Sequence, residues 1–384
     1  MGYPLPVRPL LLLLASLLFG CAPKGEPGVG WSSLQGSLDA AAHDNDGCGG
    51  VLLRVQRPDG ELLWEGAAGQ PWRGSELAMD PSFTFEIASI TKTFTAVTTL
   101  LLVEQGSLEL DAPLGRYLSE ERTRGLLVVD GHDYGPEITL RQLLAQTSGL
   151  PDYWTDPPYV RGEINAFLRD FIADEDRLWE PEELIDYAAD LDPISAPGGP
   201  FHYADTNYVL LGLVIEAVSG EPLHAVFRER LLAPLSLGAT YLSYHEDPAS
   251  TLVEAHRYEG RYDLYGKANQ SADWAGGGLV SSAGDLGRFF GALATDALFA
   301  DPSTGEAMQS FGPTDWGDDV GYGLGLIAVS LDGDLGTLWG HEGYGGSFAY
   351  VWPEQELLLI GTVDQTEADP WPILLDAVTL VSEN

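Results

Sequence analysis

Ala88-Ser89-Ile90-Thr91-Lys92-Thr93-Phe94 opens the stretch where the apolar residues take up a helical period. Ile90, Phe94, Val97 and Leu101 fall on one stripe, and Gly106 stands where a helix would stop. On such a helix Ser89 and Lys92 lie three residues apart on one face, so hydroxyl and amine can be hydrogen-bond neighbours. A free serine is a weak nucleophile. A lysine whose ammonium is desolvated, or placed near other cations, loses its proton more easily and can then accept the hydroxyl proton. The spacing S-x-x-K is common by chance, and its ordinary reading is a polar helix face. The lysine count sharpens it: Lys24, Lys92 and Lys267 are the only lysines in 384 residues, and one of them follows a serine by a helical turn.

Outward from this stretch, the period changes again. Upstream, Gly50 to Arg57 and Glu61 to Ala68 are β-rich runs joined by Pro58-Asp59-Gly60, whose backbone angles suit a hairpin. Further upstream, Trp31 to Ala42 is amphipathic and ends at the turn cluster Asp44-Asn45-Asp46-Gly47. Downstream, helical segments recur at Leu140 to Gln146, Pro181 to Asp190, Asn207 to Val218 and Ala225 to Leu232. After Gly276-Gly277-Gly278 come a helix, Ala283 to Ala294, strand-like Leu324 to Leu331, Gly346 to Trp352 and Leu357 to Val363, and a closing helix from Trp371. Strands at both ends and helices between them predict an α/β protein whose sheet is assembled from the two ends, with a helical block inserted.

Two further constellations carry chemistry. Tyr203-Ala204-Asp205 follows Pro197-Gly198 and precedes a helix start, which implies a loop tip. A tyrosine there can shuttle a proton if nearby positive charge lowers its pKa, as Lys92 would; the plain alternative is a capping Asp beside a packed Tyr. Gly340-His341-Glu342-Gly343-Tyr344-Gly345-Gly346 is flanked by strand-like sequence, and its small residues would let a backbone amide approach a substrate oxygen; the plain alternative is a hairpin turn. It is not the zinc motif H-E-x-x-H, because Gly345 stands where the second His would be.

In order and spacing, Ser89-Ile90-Thr91-Lys92, Tyr203-Ala204-Asp205 and His341-Glu342-Gly343 resemble the serine β-lactamase and penicillin-binding-protein superfamily. The branch they resemble holds class C β-lactamases, soluble D-alanyl-D-alanine carboxypeptidases, D-aminopeptidases and family VIII esterases. Ile138 to Leu144, Thr147-Ser148-Gly149-Leu150, Asn207 to Gly212 and Gly277 to Ser282 match supporting phrases of that family, and the resemblance spans about Trp31 to Val381. It implies a β-lactamase/transpeptidase-like fold: an antiparallel sheet flanked by helices, from about 31–88 and 275–384, an inserted helical part at about 89–274, and the cleft between them. It implies acyl transfer in which Ser89 attacks, Lys92 and Tyr203 handle its proton, and the backbone amides of Ser89 and Tyr344 form the oxyanion hole. Asp205 and His341 complete the catalytic group, Glu342, Gly343 and Tyr344 meet the substrate, and no metal or organic cofactor is implied. The same cleft in a non-catalytic protein would hold cell-wall peptide or penicillin.

Two positions depart from the family pattern. Asp205 replaces the usual Asn, and a carboxylate near Lys92 stabilises the ammonium, which gives Tyr203 weight as base. Alternatively the Asp keeps Lys92 charged so that it lowers the Tyr pKa, or is itself protonated by burial. Glu342 stands where Thr or Ser is usual, and an acid there is expected to repel a substrate carboxylate by ~4 kcal/mol for charges about 4 Å apart at an effective dielectric of 20, unless Arg288 or Lys267 answers it. Esters, amides or amine-bearing substrates are therefore expected over β-lactams and free D-Ala-D-Ala termini.

Composition fixes the setting. With 19 Lys+Arg against 58 Asp+Glu, the net charge of -39 repels nucleic acid and acidic lipid. A hydrophobic fraction of 45% excludes a disordered chain. Residues 1–20 hold Arg8 and the apolar run Leu10 to Phe19, which reads as a signal peptide. Leu18-Phe19-Gly20-Cys21 resembles a bacterial lipoprotein signal, with a tether over 21–30, so an exported, lipid-anchored envelope protein is expected; ordinary secretion is the alternative. Beyond Cys21 only Cys48 remains, which excludes an internal disulfide or a zinc cluster built on cysteines in the mature chain.

Overall fold

The computed structural model describes residues 30–44, 49–157, 164–248, 251–366 and 368–383. The expected leader, tether, lipid site at Cys21 and the Cys48 thiol lie outside them.

After a 3-10 turn, helix α1 (Leu34–Asp44) precedes the hairpin of β1 (Gly50–Gln56) and β2 (Leu62–Gly69). The turn closes as Pro58-Asp59-Gly60 predicts: Gly60 has φ +97°, and the Glu61 amide donates to Asp59 Oδ1 at 3.0 Å. Strand β3 (Thr84–Glu86) leads into α2 (Thr91–Glu104). The middle of the chain is helical, its longest element being α3 (Asp205–Ser219), and β4 (Tyr241–Leu242) closes it. Then follow β5 (Leu279–Ser282), α4 (Ala283–Ala294), β6 (Gly312–Pro313), β7 (Val320–Tyr322), β8 (Ile327–Ser330), β9 (Thr337–Gly343), β10 (Ser347–Trp352), β11 (Leu357–Thr362) and α5 (Trp371–Ser382).

Eight strands form one antiparallel sheet in the order β6-β7-β8-β9-β10-β11-β1-β2, so the two ends of the chain meet where Leu52 faces Thr362. Strand alternation divides the sheet into two faces. Val51, Leu53, Val55, Leu338, Phe348, Tyr350 and Leu359 pack with Leu38 of α1 and Leu374 of α5. Leu52, Trp339, Ala349, Val351, Leu358 and Ile360 pack on the other face with Phe289 and Phe290 of α4 and with the helical block. Each Val, Leu, Ile or Phe among them, fully buried, contributes about 1.5–3 kcal/mol relative to exposure. A second, three-stranded sheet, β3-β5-β4, links the two parts.

The structure differs from expectation in four places. The helix α2 is buried on every side from Thr91 to Leu100, not along one stripe. Three of its threonines donate to backbone carbonyls: Thr93 to Gly325 O at 2.8 Å, Thr95 to Ala275 O at 2.7 Å and Thr99 to Thr95 O at 2.8 Å, whereas the buried Thr98 hydroxyl is unpaired. The strand expected over Leu324 to Leu331 is shorter, and a helix at Ala166–Ala173 was not foreseen. Most consequentially, His341 to Gly343 belongs to β9, with only the residues after it forming the turn.

Candidate active site

Strand β3 delivers the chain into a 3-10 turn, Ala88–Ile90, immediately before α2. Ala88 there takes φ +43°, a left-handed conformation uncommon for a residue with a Cβ and a strain that recurs at functional sites. Across the step from this turn into α2, Ser89 and Lys92 stand three residues apart and fall on one face. Ser89 is half-buried and open to solvent, whereas Lys92 is fully buried. Lys92 Nζ donates to Ser89 Oγ at 3.1 Å, to the Gly276 carbonyl at 2.9 Å, and to Asp205 Oδ1 in a short ion pair. An ammonium has three donors, and all three are used. The rings of Tyr203 and Tyr208, centred 4.8 and 5.6 Å from Nζ, add cation–π attraction. These contacts are what permit a buried cation.

Asp205 is the first residue of α3, where the helix dipole favours a carboxylate. Its amide donates to Asp152 Oδ1 at 2.9 Å. Burial, with the Asp205 charge as the next cause, pushes Asp152 up to about 7. The Tyr203 hydroxyl is buried without a well-formed hydrogen bond. Burial first, and then Asp205, hold the phenol well above its ordinary pKa, with the Ser89 hydroxyl opposing. The expectation that Lys92 lowers the Tyr203 pKa is thereby corrected: Asp205 answers the ammonium, and desolvation dominates what remains. At rest Tyr203 is a phenol.

The alternation of β9 assigns the third motif. Leu338 belongs to the face covered by α1 and α5 and Trp339 to the opposite face. His341 and Gly343 therefore point with Trp339 towards the cleft, and Glu342 points away. His341 is fully buried: its Nδ1 donates to the Glu342 carbonyl at 2.6 Å and its Nε2 stands 3.4 Å from the Tyr322 hydroxyl. Burial, and secondly the Lys92 charge, lower it to about 3, so the imidazole is neutral.

Glu342 accepts from the Tyr350 hydroxyl at 2.5 Å and interacts with Trp371 of α5. The expectation that its carboxylate meets the substrate is corrected, and neither expected cation answers it: Arg288 pairs with Asp285 and Lys267 with Glu175. Burial raises Glu342 to about 7. A carboxyl raised in the folded state contributes stability that is whole below its unfolded pKa and is lost as pH rises through the folded value. Glu342→Gln removes that loss. We expect the variant to melt higher than the parent at pH 8.5, by about 2–4 °C per kcal/mol, with kcat and KM unchanged; a KM shift confined to carboxylate-bearing substrates would return Glu342 to the cleft.

Gly343 explains how the third motif reaches the first. A Cβ on it would lie 2.3 Å from the Ile87 carbonyl and 3.0 Å from Ala88 Cβ, so only glycine lets β9 approach the nucleophile turn this closely. Ser347 Oγ donates to the same Ile87 carbonyl at 3.0 Å. The turn that begins with Tyr344 is thus held against the segment that carries Ser89. Three contributors were not singled out from sequence: Gly276, whose carbonyl holds Lys92, Asp152 behind Asp205, and Arg257, which donates to the Tyr344 carbonyl at 3.2 Å. The triple-glycine run was the only signal for the first.

The arrangement suits nucleophilic acyl chemistry, and among the described residues no group of His, Cys, Asp or Glu is placed to hold a metal ion. Comparison with known proteins agrees. The family model described as Beta-lactamase matches residues 38–379. Esterase EstB of Burkholderia gladioli is 32% identical over 206 residues, 53% of this chain and 49% of its own. Penicillin-binding protein 4* of Bacillus subtilis (strain 168) is 24% identical over 331 residues, 82% and 65% of the two chains. The matches therefore span about half to two thirds of those relatives. Among solved structures, a D-stereospecific amidohydrolase from Streptomyces sp. superposes with a TM-score of 0.75 at 30% identity, covering 91% of this chain and 98% of that one. The D-amino acid amidase from Ochrobactrum anthropi SV3, complexed with L-phenylalanine amide, gives 0.75 at 25% identity, covering 92% and 99%.

Proposed function

We propose, from the premise that the chain belongs to the beta-lactamase family, that it is an exported serine hydrolase cleaving an ester or amide through an acyl-enzyme on Ser89. The observation that carries this reading is the 3.1 Å contact between the buried Lys92 Nζ and the solvent-open Ser89 Oγ. Ser89 Oγ attacks the substrate carbonyl carbon and gives its proton to Lys92, which passes one of its own to Asp205. The negative oxygen that forms is stabilised by the amides of Ser89 and Tyr344, where each donor is worth ~10²–10³ in rate. The Tyr203 phenol protonates the leaving alcohol or amine and is reprotonated from the Lys92–Asp205 pair. Water then releases the acid and restores Ser89. His341, neutral, orders the cleft wall together with Tyr322.

The ester or amide is supported by relatives named as an esterase and as amidases, and by the partly buried rings of Phe201, Tyr203 and Trp316, which line up beside the site at centroid separations of 5.0 and 5.4 Å and suit an apolar acyl group. Export and a lipid on Cys21 belong to this proposal on the composition of the leader. Intact-mass detection of a fluorophosphonate adduct tests it, alongside turnover of a p-nitrophenyl ester, a D-amino-acid amide and a cephalosporin. One adduct on Ser89, with the ester or amide hydrolysed faster than the cephalosporin, is expected. No adduct and no turnover, with penicillin bound reversibly, would make the protein a binder; fastest turnover of the cephalosporin would overturn the substrate assignment.

A further inference from the structure

We infer that Arg257 is a positioning residue that locks the oxyanion turn to the nucleophile segment. This rests on the acyl-enzyme reading above, and it concerns a residue outside all three sequence motifs. Arg257 is buried, only 5% exposed, with its guanidinium between parts of the chain remote in sequence. Its Nη1 donates to the Tyr344 carbonyl at 3.2 Å and its Nη2 to Gln270 Oε1 at 2.8 Å. Its Nε lies 2.8 Å from Glu86 Oε2, and Nη2 lies 3.5 Å from Asp273 Oδ2.

Glu86 ends β3, three residues before Ser89, and Tyr344 begins the turn after β9. One rigid fork therefore touches both segments whose amides would bind the developing oxyanion. The turn is also shaped around the side chain: Gly345 has φ +103°, and a Cβ on it would lie 2.5 Å from Arg257 Cδ. A guanidinium holds several acceptors at fixed angles, whereas an ammonium is a compact point charge, so lysine keeps the charge and loses the geometry. A misplaced oxyanion donor acts on the transition state and leaves ground-state binding alone, which separates this role from a general contribution to folding.

The test compares Arg257→Lys with wild type in hydrolysis of a p-nitrophenyl ester and in inhibition by an aryl boronic acid, whose tetrahedral adduct occupies the oxyanion site. We expect kcat to fall by ~10²–10³, KM to stay within about threefold, and boronate affinity to fall with kcat. Glu86→Gln, which keeps shape and removes the anchoring charge, is expected to fall in the same direction, by about tenfold. An Arg257→Lys enzyme with wild-type kcat, or one whose KM alone rises with boronate affinity intact, overturns the inference. So does failure of both variants to fold, which would make the arginine a support of the fold. If wild type gives no fluorophosphonate adduct on Ser89, it is the acyl-enzyme reading that fails, whatever the variants do.

Discussion

Ser89→Ala is expected to lower turnover of any ester or amide substrate by on the order of 10⁴–10⁶, since removing a nucleophile disables the whole catalytic group at once. The fold should not follow. Ser89 is half-buried in a 3-10 turn and accepts one hydrogen bond from Lys92, so the alanine variant should unfold within about 1 kcal/mol of the parent. Lys92 retains Asp205 and the Gly276 carbonyl as acceptors. Steady-state kinetics with intact-mass spectrometry after fluorophosphonate treatment decide the matter. A variant that still forms an adduct, or turns over within a hundredfold of wild type, would place the nucleophile elsewhere.

Lys92→Met should remove both activity and much of the stability. Methionine matches the length of the buried stem but leaves Asp205 without its cation, beside Asp152. Breaking a buried pair by deleting one partner typically costs about 3–5 kcal/mol, because the remaining charge is uncompensated. We expect that loss in urea unfolding, together with a kcat lowered by at least about 10³. The double variant Lys92→Met/Asp205→Asn separates the two effects. It should recover most of the stability and none of the turnover. Recovery of turnover would show that the amine is dispensable for deprotonating Ser89, and full stability of the single variant would show that the ion pair carries nothing.

Ser89 and Lys92 were readable in the sequence because their relation is local: three residues along one turn bring the two groups together, and no distant contact is needed. The hairpin at Pro58-Asp59-Gly60 was readable for the same reason. The site's electrostatics were not. The direction in which Tyr203 is shifted depends on how deeply its hydroxyl is buried, and no spacing reports that. Glu342 was misplaced because Gly340, Gly343, Gly345 and Gly346 give the region the composition of a loop, whereas the ladder of β9 continues to Gly343 and so fixes which way each side chain points. Arg257 was silent because its partners, Glu86 and Tyr344, are brought to it only by the sheet and the nucleophile turn. The burial of α2 on every side was hidden by its threonines, polar in composition, of which Thr93, Thr95 and Thr99 are paired to backbone carbonyls in place.

The pairing of β1 with β11 sets the order in which the chain can complete its fold. Strand β11 lies between β10 and β1, so the hairpin made first cannot join the main sheet until residue 362 has left the ribosome. Contacts this remote in sequence form slowly. The nascent polypeptide thus lacks its completed central sheet until β11 has been made, and the strand that carries Ser89's segment against β9 can be fixed in place only after that.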